Sequence, residues 1–119
     1  MGNSLSKTTY IGTIGELLVQ LRLLEFGIQA APPIKDSGND LIAIRGEIVK
    51  FIQVKTSQGA ITRVDNLPDI YHLVALVELK YNKGVLLLDE TKIYIYKKNE
   101  TVRDKKELMQ SVVNAIWSE

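Results

Sequence analysis

Gly46 sits between two runs of strand-forming residues, and this position constrains the fold more than any other feature of the chain. Leu41-Ile42-Ala43-Ile44-Arg45 precedes it, and Val49 to Thr56 follows. Arg45-Gly46-Glu47-Ile48 closes as a two-residue hairpin with glycine first, the sequence that type II′ and I′ turns require. A two-residue turn sets the register. Arg45 then faces Ile48, Ile44 faces Val49, and Asp40, which opens the first strand, falls opposite Gln53. Opposed residues of an antiparallel pair share a face, with Cβ atoms about 5 Å apart. Lys55 follows Gln53 at i+2 and projects to the same side. The turn therefore predicts one polar cluster of Asp40, Gln53 and Lys55, which a one-residue slip would dismantle.

The second strand carries an anomaly that fits this cluster. Val49, Phe51, Gln53 and Lys55 lie on one face and Lys50, Ile52, Val54 and Thr56 on the other. Gln53 and Lys55 interrupt a face that begins apolar. A lysine beside an apolar patch costs free energy unless it pairs or reaches water. An exposed strand end and a metal site both account for it.

The pattern Gly38-Asn39-Asp40, a hairpin, then Gln53-Val54-Lys55 resembles the core of the PD-(D/E)xK nuclease superfamily. It is most similar to the group I intron-associated endonucleases and the archaeal Holliday-junction resolvases. The likeness runs from Gly12 to about Ser57. It implies a restriction-endonuclease-like α/β fold and hydrolysis of DNA phosphodiester bonds with Mg²⁺, for which Mn²⁺ can substitute. It implies Asp40 and Gln53 at the metal, Glu16 from an upstream helix completing the site, and Lys55 positioning the attacking water. The Val54 carbonyl is a further oxygen ligand of the right type. Two positions depart from the usual pattern: Asn39 stands where many members have proline, and Gln53 where most have Asp or Glu, which removes a charge from the metal site. A chain that keeps the fold but not the chemistry would be a nucleic-acid-binding or assembly module.

The chemistry asks for these residue types. Phosphodiester hydrolysis must neutralise charge on the phosphate and supply hydroxide near neutral pH, and a divalent ion does both. Mg²⁺ takes oxygen ligands and keeps several waters, so one or two carboxylates suffice.

Elsewhere the chain reads as follows. Ile11 to Gly27 predicts a helix with one apolar face of Ile14, Leu17, Leu18, Leu21 and Leu24 and a second arc of Val19, Leu23 and Phe26, bordered by Glu16. Such a helix is expected to be buried on most sides, between the sheet and a partner subunit. Gly27 suits its C-cap. Pro32-Pro33 gives an extended connection, and Asp36 to Asn39 is turn chemistry. Gln58 to Pro68 is a polar connection; Ser57, Gln58, Thr62 and Arg63 are candidate phosphate contacts, though a solvated loop explains each one, taken singly, better. Tyr71-His72 follows with no metal-ligand spacing around it. Leu73 to Leu79 fits a strand buried on both faces, Asn82-Lys83-Gly84 a hairpin turn, and Val85 to Leu88 another strand. Lys92 to Lys97 alternates, with Ile93 and Ile95 opposite Tyr94 and Tyr96, and Lys97-Lys98 is a small basic patch. Asp104 to Trp117 predicts a last helix with an Asp104/Glu107 capping box.

The order predicts a mixed central β-sheet of about five strands with an N-terminal and a C-terminal helix packed on it, in a single domain over residues 1–119. The connection after Lys55 is short for a crossover helix. The 119 residues carry no cysteine, which excludes a disulfide framework and thiolate metal sites. No apolar run is long enough to span a bilayer, and residues 1–9 lack the apolar core of a signal peptide, so a cytoplasmic protein is expected. A net charge of +1 argues against a strongly basic nucleic-acid-binding surface. So small a chain covers little DNA, so a homodimer or higher homo-oligomer is expected.

Overall fold

Leu73 to Leu79, apolar except for Glu78, forms a strand that only the centre of a sheet accommodates, and the sheet is built around it. The computed structural model describes residues 7–34 and 40–118. In chain order these form helix α1 (Lys7–Glu25), strands β1 (Gln29–Ala31), β2 (Leu41–Arg45), β3 (Ile48–Gln58), β4 (Leu73–Leu79), β5 (Tyr81–Asn82), β6 (Val85–Leu86), β7 (Lys92–Lys97) and β8 (Lys106–Glu107), and helix α2 (Gln110–Ile116). Short 3₁₀ turns occupy Leu88–Glu90 and Val102–Asp104. The main sheet has six strands in the order β1-β2-β3-β4-β7-β8, and β5 and β6 make a separate small hairpin. Only β3 and β4 run parallel in the main sheet. The architecture is α/β with a mixed central sheet and a helix from each end of the chain. It has six strands where about five are expected: Gln29–Ala31 and Lys106–Glu107 join at the edges, and Val85–Leu86 pairs in the small hairpin instead.

The predicted register holds at every residue that fixes it. Arg45 pairs with Ile48, Ile44 with Val49, and Leu41 with Ile52. Gly46 has φ +60° while Glu47 is not among the positive-φ residues, the signature of a type II′ turn. At the small hairpin Lys83 (φ +52°) and Gly84 (φ +79°) are both left-handed, as type I′ needs.

Each face of the sheet buries its own cluster. On the helix side Leu41, Ala43, Ile52, Val54, Ala75, Val77, Ile93 and Ile95 pack under Val19 and Leu23 of α1 and Val113 and Ile116 of α2. On the other side Val74, Leu76 and Tyr96 are closed over by Ile61, Val64, Leu67 and Tyr71 from the β3–β4 connection. That connection crosses between parallel strands without a helix, so its apolar residues do the covering. Tyr96 is therefore core, and Tyr94 lies under the Lys105 ammonium.

Three further expectations are corrected. Of α1's two arcs, the narrower one faces the sheet. Val19 and Leu23 are buried, while Leu17, Leu21 and Leu24 are 58%, 54% and 61% exposed. Helix α1 starts at Lys7, and a Schellman motif ends it: Ile28 N–H bonds Leu23 O (2.9 Å) and Gly27 N–H bonds Leu24 O (3.0 Å), with Gly27 at φ +85°. The last helix is only seven residues long. Lys106–Glu107 adds to the sheet edge beside β7, and the capping box belongs to Thr101 and Asp104 at the 3₁₀ turn. Val85 to Leu88 is not a strand of the main sheet: Val85 and Leu88 are exposed. Asp36 to Asn39, including the Gly38-Asn39 part of the resemblance, lies outside the described residues.

Candidate functional site

The end of β2 leaves a gap in the hydrogen-bond ladder, and Asp40 fills it. The β2–β3 pairing stops at Leu41 and Ile52. Beyond it the Val54 N–H donates to Asp40 Oδ2 at 2.8 Å. Gln53 Nε2 donates to the same oxygen at 2.9 Å. The carboxylate thus takes over where the strand ends. A residue's N–H and C=O project from the same edge of a strand, so the Val54 carbonyl also points to the side where Asp40 sits.

Gln53 is the only buried polar or charged side chain among the described residues, at 9% exposure. Its amide nitrogen is used, but its Oε1 is buried without a partner. A buried acceptor left unpaired costs about 1–3 kcal/mol. The pairing with Asp40 orients this oxygen and leaves it open to a donor or a cation.

Glu16 reaches the same place from the other layer. Its carboxyl is held above the usual range, first by burial and then by the negative charge of Asp40. The effect of Asp40 shows that the two acids sit close enough to disfavour joint ionisation. Gly15, just before it, explains the approach. A Cβ there would stand 1.8 Å from Thr56 Oγ1, so only glycine lets α1 lie this close to β3. An interior helical glycine costs about 0.5–1 kcal/mol relative to alanine. That cost is the one sequence signal for this contact, which the helix pattern alone does not reveal.

Lys55 follows Gln53 on the same face, half-buried. No ion pair of its ammonium is present among the described residues. It lines an open groove of about 410 Å³ with Ile11, Gly12, Val54, Thr56, Ser57 and Gln58. Ser57 Oγ donates to Gly59 O at 2.9 Å, and both it and Gln58 border this groove. Thr62 and Arg63 do not line it: Arg63 pairs with Asp65 at 3.0 Å, well exposed. The structure thus brings together Asp40, Gln53, Val54 and Glu16, places Lys55, Ser57 and Gln58 beside them, and leaves Thr62 and Arg63 on the β3–β4 connection. No three His, Cys, Asp or Glu side chains cluster among the described residues, so a metal here would rely on two carboxylates and neutral oxygens.

No protein-family model matches the chain, and no curated protein does. Its fold is similar to that of a bacterial homing endonuclease, I-Ssp6803I, with a TM-score of 0.59 and 17% identity over 96% of this chain and 94% of that one. The chain therefore has a nuclease-like α/β fold.

Proposed function

We propose that the protein is a Mg²⁺-dependent DNA endonuclease of the PD-(D/E)xK type with a Gln-x-Lys variant of the motif. The observation that carries this reading is the buried, unpartnered Gln53 Oε1, held next to the Asp40 carboxylate. Orphaned oxygen and carboxylate together are a donor set for a hard divalent cation. Asp40 and Gln53 would hold it, with the Val54 carbonyl and Glu16 as further oxygen donors, directly or through water. The ion, when bound, supplies charge neutralisation at the phosphate and a bound water of lowered pKa.

The remaining tasks fall to this chain's own groups. Asp40 and Gln53 fix each other's orientation before any ligand arrives. Lys55 projects beside them and can hold the attacking water against the phosphate and stabilise its charge. Glu16, with its raised pKa, keeps a proton more readily than an isolated glutamate and would give it up when a cation enters. The groove bordered by Ser57 and Gln58 leads the phosphate backbone to Lys55. Cutting both strands calls for two such sites, and α1 offers a means of self-association. Tyr10, Ile14, Leu17, Leu21 and Leu24 follow a 4-3-4-3 spacing, the seam that packs against another helix. Its last two turns are exposed, and a second copy's α1 is the partner.

The neutral Gln53 favours a second reading, a nucleic-acid-binding or assembly module that retains the fold. Incubating the protein with Mg²⁺ or Mn²⁺ and linear, supercoiled or four-way-junction DNA separates the two. The nuclease reading expects metal-dependent cutting by the wild type that Asp40→Ala abolishes. DNA retardation without cutting under either metal would select the module.

A further inference from the structure

Features that are separate in the sequence converge at the far end of the sheet. Lys50 at the start of β3, Tyr71 and His72 before β4, Lys97 at the end of β7, and Lys98 and Asn99 in the next turn line a depression of about 320 Å³. Leu73 and Ile116 form its floor. Three of the chain's 15 lysines and arginines meet here, on a protein whose net charge is only +1. Among the described residues no carboxylate lines it. Glu100, close by in sequence, accepts the Lys97 backbone N–H at 2.8 Å. His72 is held below its usual pKa by burial first, then by the charges of Lys50 and Lys98.

Two of the donors, Lys98 and His72, are held in place. Lys98 Nζ donates to the Asp69 carbonyl and lies 4.8 Å from the centre of the Tyr71 ring. An ammonium has three hydrogens, so donors remain for a ligand. His72 Nδ1 accepts the Phe51 N–H at 2.8 Å, and the ring is braced against Phe51 at 5.1 Å. With Nδ1 accepting, the neutral ring carries its proton on Nε2, a donor. Lysines, an imidazole N–H and the Asn99 carboxamide around one hollow are groups that recognise a phosphate.

We propose that this depression is a second phosphate-binding site, an anchor for the DNA backbone away from the bond that is cut. This rests on the nuclease reading above. Lys50 and Lys55 of β3 are roughly 17 Å apart at 3.3 Å per residue and project to opposite faces of the sheet. A phosphate held at the depression would tether the DNA backbone at a point away from Lys55.

The test is DNA binding by fluorescence anisotropy across a salt series, without divalent metal. It compares the wild type, Lys50→Gln/Lys98→Gln and the charge-keeping Lys50→Arg/Lys98→Arg, each checked by thermal melting. Each lost phosphate contact removes about 0.9 from the slope of log affinity against log salt. The glutamine pair should lower that slope by about 2 for every DNA sequence, and the arginine pair should preserve it. An unchanged slope in the glutamine pair, with wild type binding normally, overturns the anchor and leaves the nuclease reading standing. Wild type that binds no DNA overturns both. In a parallel arm, inorganic phosphate should shift the NMR signals of the His72 ring, and duplex DNA should shift the same signals. A response to phosphate alone would make this a small-anion site and overturn the backbone assignment.

Discussion

Gly15 is the position where a single methyl group tests the geometry of the site. In an open helix, Gly→Ala gains up to about 1 kcal/mol. Here the added Cβ meets Thr56 Oγ1 at 1.8 Å and its Cβ and Cγ2 at 2.8 Å. Gly15→Ala is therefore expected to destabilise by about 1–3 kcal/mol in urea denaturation, the usual cost of overpacking. Thr56→Ala in the same chain should recover part of that loss, because the worst clash is with a hydroxyl that has no hydrogen-bond partner to lose. A stabilising Gly15→Ala would mean that α1 does not lie this close to β3. The contrast with Asp40 and Gln53 shows what sequence conveys at this scale. Their pairing was legible because a two-residue turn counts residues along one hairpin. The Gly15–Thr56 contact joins a helix to a strand, and no local spacing encodes that.

At the scale of elements, apolar periodicity located α1 but misjudged its orientation. In the wider arc Leu17, Leu21 and Leu24 are exposed and only Ile14 and Leu18 pack on the core, because Val19 and Leu23 fill the space above Ile52 and Val54. The last helix was overread for a related reason. Lys106 and Glu107 suit a helix as well as a strand, and the choice is made by the free edge of β7, which pairs with them. The exposed arc carries its own prediction. Replacing Leu17 and Leu21 by lysine should shift sedimentation from oligomer to monomer. Neither side chain supports the core, so stability should change by no more than about 0.5 kcal/mol. A wild type that sediments as a monomer at every concentration would remove α1 as the interface.

For the whole molecule, the decisive arrangement is a sheet whose two faces are covered by different things. Helices cover one face, and the β3–β4 connection, through Ile61, Val64 and Leu67, covers the other. The parallel β3–β4 pair was not legible, since its crossover has no helix to announce it. The site lies where the layers meet: Glu16 comes from the helix layer, Gln53 and Lys55 from the opposite face, and Asp40 from the end of β2 between them. None of the described helices is long and apolar enough to cross a membrane. In the proposed nuclease Lys55 acts in the chemistry and not in binding alone. The most direct measurement compares wild type and Lys55→Ala on supercoiled DNA with Mg²⁺, scoring cleavage and gel retardation together. The variant is expected to retard DNA much as wild type does but to cut it about 10²–10⁴ times more slowly, the range for losing a positioned acid–base group. Cutting that survives Lys55→Ala, or a wild type that retards DNA and never cuts it, would contradict the proposal.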